Sequence, residues 1–170
     1  MDFEKLAAAR YSVRAYKSDP VPDEVLNRIL DAARNAPTAA NKQPFKIIVI
    51  RTEGRQEELG RVYSREWFTQ APLVLAICAV TEEAWIRKFD EKSYSFVDAA
   101  IVFDYLILAA TDLGLGTCWI AAFDPVAARE VLGLPEGVEP VAFTPLGYAV
   151  DEQKPKQRKE PTVLVKYERW

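Results

Sequence analysis

The chain contains no histidine. That absence removes Ser-His-Asp and Cys-His nucleophilic schemes and the commonest metal ligand together, so no metal site is expected. Cysteine is scarce: Cys78 and Cys118 stand alone, without CxxC spacing, too few for a disulfide framework or a zinc site. Both are expected to be buried and reduced. Positive charge is not in excess either. With 22 Lys and Arg against 25 Asp and Glu, nothing here can track a phosphodiester backbone, and no nucleic-acid partner is expected. Long uncharged apolar runs are missing: Tyr94 to Leu113 is broken by Asp98, Asp104 and Asp112, short of the ~18 residues that span a membrane. The opening Met1-Asp2-Phe3-Glu4 is acidic where a signal peptide carries positive charge, which points to the cytoplasm. Any chemistry must use other groups.

What is present suits one enzyme-like domain over residues 1–170, long enough to bury roughly 70% of its unfolded surface. Asp2 is placed to cap a short helix through Leu6 and Ala9. Asp23 is placed to cap a second with Val25, Leu26, Ile29, Leu30 and Ala33 at helical spacing. Phe45 to Ile50 reads as a strand of β-branched residues, and Pro72 to Val80 as a strand apolar on both faces, which belongs in the middle of a covered sheet. Tyr94 to Leu113 predicts a helix with almost no polar face, buried in the core or between subunits, ended by Gly114-Leu115-Gly116. Thr117 to Ile120 predicts a short extended return, and Pro125 to Leu132 a helix capped by Asp124. Val138 to Tyr148 reads as a strand, and Thr162 to Tyr167 as a last one. With no internal repeat, the pattern predicts an α+β fold with a mixed sheet.

Three segments carry polar chemistry. If Arg10 to Arg14 runs extended, Arg10, Ser12 and Arg14 share one face and converge on one anion, Arg offering a planar fork suited to phosphate. Arginines near a helix end read first as solvated charges, however, so this segment alone does not assign a ligand. Pro37 to Phe45 reads first, taken alone, as a surface turn, and second as a set of donors and acceptors for a flat polar ring, with Asn41 and Gln43 each presenting both groups of an amide. The basic loop Lys154, Lys156, Arg158 and Lys159 alternates with acids and reads as a solvated run. Gly114-Leu115-Gly116 follows a helix and precedes a strand, the reverse of a dinucleotide fingerprint, so no Rossmann site is assigned.

In order along the chain, Arg10-Tyr11-Ser12-Val13-Arg14-Ala15-Tyr16, Ala36-Pro37-Thr38 through Asn41-Lys42-Gln43-Pro44-Phe45, Leu113 to Ile120, and Pro145-Leu146-Gly147-Tyr148 followed by Lys156-Gln157-Arg158 resemble the FMN-dependent nitroreductase family in its short form. The resemblance implies an α+β sandwich with a mainly antiparallel mixed sheet, a central interface helix and a C-terminal tail exchanged between subunits. It implies FMN as a tightly bound cofactor, NADH or NADPH as reductant, and a planar small-molecule acceptor. By the same resemblance, Arg10, Tyr11, Ser12 and Arg14 contact the FMN phosphate, ribityl chain or ring edge, and Lys156 and Arg158 close on the phosphate. Pro37, Thr38, Ala39, Asn41 and Gln43 come from the partner subunit of a homodimer, and Trp119, Ile120 and Ala121 run along the flavin ring. Arg14 is the candidate to stabilise the reduced ring, and Glu82 to Phe96 either covers the flavin face or forms a partly buried connecting helix. Specialised flavin-destroying or dehalogenating members, and a non-catalytic FMN sensor, are the alternatives. The chain departs from the family pattern at Thr38-Ala39, at Phe45 and at Ala121-Ala122.

Overall fold

A computed structural model describes all residues, Met1–Trp170. Asp2 caps α1 (Phe3–Ala9) by accepting the Lys5 N–H at 2.9 Å, as its position predicts. In α2 (Asp23–Arg34) the expected cap is displaced by one residue. Pro22 occupies the cap position without a side-chain bond, and Asp23 lies in the first turn, where its charge meets the positive end of the helix. The next elements are β1 (Phe45–Arg51), α3 (Gln56–Val62) and β2 (Leu73–Val80). A small hairpin, β3 (Ile86–Arg87) and β4 (Lys92–Ser93), leads into α4 (Ser95–Asp112). Then come β5 (Gly116–Thr117), α5 (Pro125–Leu132), β6 (Val138–Gly147) and α6 (Pro161–Leu164).

The main sheet has the order β1-β2-β6-β5 with every strand pair antiparallel. A single isolated parallel bridge, Ser12 to Thr117, lies beside it. β2 lies between β1 and β6, as a strand apolar on both faces must. Its side chains alternate between two cores. Leu73, Leu75, Ile77 and Ala79 face α2 and α4, packing with Ile29, Val102, Phe103 and Leu106. Val74 and Ala76 face the other way, toward Leu59, Phe68, Ala128 and Phe143 of the α3–α5 side. The register shifts between Ile77 and Cys78, beside Pro140 of β6, a residue that cannot donate to a ladder and is tolerated at such an irregularity.

α4 is the central helix, but only one stripe of it is buried within the chain. Asp98, Ala99, Val102, Phe103, Leu106 and Ala110 face inward, whereas Phe96, Val97 and Tyr105 remain about half exposed. No helix of the chain is long and apolar enough to cross a membrane.

Two expectations fail. Thr162 to Tyr167 is not a strand: Pro161, with its preset φ, starts the four-residue α6, and every residue from 157 to 170 is exposed and pairs with no strand of its own chain. Glu82 to Phe96 is not a connecting helix. A single turn at Thr81–Glu83 gives way to the β3–β4 hairpin, held by Arg87 to Asp90 at 2.7 and 2.5 Å, by Arg87 to the Tyr94 hydroxyl at 2.8 Å, and by an edge contact of Trp85 on Tyr94.

Candidate functional site

The chain leaves α1 at Arg10 in an extended conformation and runs beside β5, where the Val13 N–H donates to the Thr117 carbonyl at 2.9 Å. Val13 is 1% exposed and fills the interior, so alternation turns Ser12 and Arg14 away from it. The approach depends on Gly116, where a Cβ would lie 2.8 Å from Val13 Cγ2.

The tail builds the opposite wall. After β6, the Val150 N–H donates to the Ala15 carbonyl at 2.9 Å, and Asp151 then clamps the arginine segment. Its Oδ2 accepts the Arg14 N–H at 2.9 Å, and its carbonyl accepts the Tyr11 hydroxyl at 2.6 Å. Farther on, Gln153 donates to the Ala8 carbonyl at 2.8 Å, and Lys156 Nζ donates to the Ala7 and Ala8 carbonyls, each at 2.7 Å. Those carbonyls end α1, where helix geometry leaves acceptors unpaired and the dipole is negative.

Between these walls lies a cavity of about 680 Å³, within the roughly 300–1,000 Å³ usual for ligand clefts. Arg10, Ser12, Arg14, Lys156 and Arg158 all line it. Burial, and then the guanidiniums of Arg10 and Arg158, hold the Lys156 ammonium below its usual range. Like charges crowded in this way are relieved by an anion, so the donor set fits a phosphate. Burial, followed by the nearby Asp151, pushes the Tyr11 hydroxyl up, keeping it a neutral donor. A second cavity, of about 670 Å³, shares Arg14 and is otherwise lined by Tyr63, Ser64, Arg65, Glu66 and Trp67. Arg14 therefore joins a cationic cleft to one with aromatic walls, an arrangement suited to a ligand with an anionic end and a flat end.

The other expected site residues lie elsewhere in the chain. Pro37, Thr38, Ala39, Asn41 and Gln43 form a loop around a turn at Ala39–Asn41, and none of them lines either cavity. Within the loop, Thr38 Oγ1 accepts the Gln43 N–H at 3.1 Å, and the Gln43 amide donates to Asn41 at 3.3 Å. Trp119 is 38% exposed and sets its edge against Phe103. Ile120 is 4% exposed, paired to Phe143 and packed in the core, while Ala121 is exposed. Within one chain, then, the Arg10–Arg14 segment and the tail meet, and the loop and the Trp119 segment do not join them.

Asp151 and the Tyr63–Trp67 segment are site residues that motif reasoning missed. Asp151 looks like one more acid in an alternating charged run, and only its long-range hydrogen bonds distinguish it. Both thiols meet expectation, free and buried. Burial pushes Cys78 up to about 11, and it raises Cys118 against the opposing influence of Arg14, Ser12 and Arg10.

A helix-covered antiparallel sheet whose first loop and tail close a cationic cleft is a fold with known members. The chain belongs to the nitroreductase family, whose model matches residues 7–64 and 55–148. It is similar to an NADH dehydrogenase of Thermus thermophilus, 30% identical over 93% of this chain and 92% of that one. It is also similar to an FMN reductase [NAD(P)H] of Bacillus subtilis, 30% identical over 86% of this chain and 66% of the relative. A crystal structure of a nitroreductase family protein from Clostridium difficile superposes with a TM-score of 0.93 at 35% identity, covering 100% of both chains.

Proposed function

We propose that this protein is an FMN-dependent oxidoreductase that takes hydride from NADH or NADPH and reduces nitroaromatic, quinone or similar planar acceptors in a ping-pong cycle. The observation that carries the reading is the convergence of Arg10, Arg14, Lys156 and Arg158 on one cleft in a nitroreductase-family chain. Relatives named as an NADH dehydrogenase and an FMN reductase support the same class of activity. FMN, when bound, supplies the two-electron redox chemistry, and the chain supplies binding, orientation and electrostatics.

In this reading Arg10, Lys156 and Arg158 hold the phosphate, and Tyr11 and Ser12 lie along the ribityl chain. Arg14, shared by the cationic and aromatic cavities, stands where its positive charge favours electron-rich states of the ring. The partner subunit of a homodimer brings the Pro37–Gln43 loop, with the Asn41 and Gln43 amides, to the ring edge, and the Trp119–Ala121 backbone runs beside it. The outward apolar stripe of α4 and the exposed Val163, Leu164, Val165, Tyr167 and Trp170 of the tail support association with a second copy. The β3–β4 hairpin covers the acceptor side, with Phe89, 99% exposed at its tip, as the stacking surface. A cytoplasmic location belongs to the same proposal.

The purified protein is expected to be yellow, or to become so with added FMN, and to bleach reversibly with a nicotinamide under anaerobic conditions. Absence of flavin uptake overturns the reading. The Arg10→Ala, Arg14→Ala double variant should bind FMN at least tenfold more weakly; unchanged affinity would place the phosphate elsewhere.

A further inference from the structure

Asp98 lies in the first turn of α4 and is 1% exposed. Its Oδ1 accepts the backbone N–H of Ala39 at 2.9 Å, across 59 positions of sequence, and its Oδ2 is buried without any partner. A buried carboxylate with an open oxygen is an expensive way to fill space; an apolar residue of similar volume would do so at lower cost. The N-terminal end of α4 offsets part of that cost. What Asp98 holds is a backbone that other contacts leave strained: Ala40, Asn41 and Gln43 have φ of 50, 54 and 52°, and none is glycine. A left-handed, non-glycine residue is strained and persists only where its surroundings over-determine it. Thr38 and Gln43 close the loop on itself, but the Ala39 N–H ties it by hydrogen bond to the body of the protein.

We infer that Asp98 is the positioning residue of the flavin-facing loop: by fixing Ala39, its carboxylate sets the left-handed conformations of Ala40, Asn41 and Gln43 and the aim of the Asn41 and Gln43 amides. The inference rests on the FMN reading above and adds to it a residue outside every motif of the resemblance. Asp98 does not touch the ring; it acts through the loop. The donor on the other side of the contact can be removed independently, because Thr38 is extended at φ -133° and ψ 156°, the conformation that precedes proline readily.

The test is a titration of apo-protein with FMN, alongside the rise in Tm produced by inorganic phosphate. Asp98→Leu and Ala39→Pro should each weaken FMN binding at least tenfold, and the double variant no further, since both remove the same hydrogen bond. Asp98→Asn, which keeps one carbonyl acceptor, should bind within about threefold of wild type. The phosphate effect on Tm should survive in Ala39→Pro, because the cationic cleft is built from other segments. Wild-type FMN affinity in Asp98→Leu and Ala39→Pro overturns the inference alone, and so does loss of the phosphate effect together with FMN binding in Ala39→Pro. A wild-type protein that takes up no FMN overturns the functional reading first and this inference with it.

Discussion

The carboxylate of Asp151 accepts the backbone N–H of Arg14 at 2.9 Å, and through this contact the C-terminal tail and the first loop become two walls of one cleft. The Asp151 carbonyl strengthens the join by accepting the Tyr11 hydroxyl at 2.6 Å. A hydrogen bond to a charged acceptor contributes about 1.5–3 kcal/mol, so its loss is expected to reach the ligand. Asp151→Ala should weaken FMN binding by about tenfold without touching a cation of the cleft. Fluorescence titration of apo-protein measures it, and unchanged affinity would show that the walls hold without the clamp.

Crowded cations predict a ligand effect on stability. Arg10 and Arg158 help to lower the Lys156 pKa, so an anion that binds among them stabilises the folded state by mass action. Inorganic phosphate should raise the Tm of the apo-protein, with a smaller rise in Lys156→Gln. Equal rises in the two proteins would place the anion away from Lys156.

Gly116 is expected to tolerate no side chain. A Cβ would meet Val13 Cγ2 at 2.8 Å, and Val13 is 1% exposed with no room to retreat. Gly116→Ala should cost about 1–3 kcal/mol, the usual penalty for overpacking, and should also loosen FMN by displacing Ser12 and Arg14. Denaturant unfolding gives the first effect and flavin titration the second.

The buried thiols predict an alkaline loss of stability. The folded-state pKa of Cys78 is raised by burial to about 11 from an ordinary 9.0, so the unfolded chain releases its proton first as pH rises. Its contribution is therefore complete below about pH 9 and is lost as pH climbs through about 11. Cys118, raised in the same direction, adds to the slope. Unfolding midpoints between pH 8 and 11 should fall less steeply in Cys78→Ala than in wild type, and parallel slopes would contradict the assignment.

At the tip of the β3–β4 hairpin, Phe89 contributes almost nothing to its own chain's core. Phe89→Ser should leave the Tm of the apo-protein nearly unchanged while raising KM for apolar quinones severalfold more than KM for small polar acceptors. Steady-state kinetics with paired acceptors tests this, and a uniform effect on both would remove Phe89 from the acceptor side.

Much of the scaffold was legible because its signals are local. Asp124 followed by Pro125 marked the start of α5, and the structure shows Asp124 Oδ1 accepting the Val126 and Ala127 N–H groups at 2.9 and 3.0 Å. The apolar run of β2 implied a strand covered on both faces, and it lies between β1 and β6. Where the reading failed, local preference met a missing or competing partner. The β-branched run after Pro161 follows the helical start that Pro161 sets and pairs with no strand of its own chain, and Glu82 to Phe96 folds into a hairpin closed by the Arg87–Asp90 pair instead of a helix.

By itself the sequence determined the class of fold, the central place of β2, the helix that became α4 and, through its ordered motifs, membership of the nitroreductase family. Those depend on periodicity, caps and side-chain type, which act over a few residues. Only the tertiary structure decided that Lys156 and Arg158 share a cleft with Arg10, that Asp151 clamps Arg14, and that Asp98 holds Ala39. Each of those contacts joins residues far apart in the chain, so its energy exists only once the sheet and its two helical layers have packed.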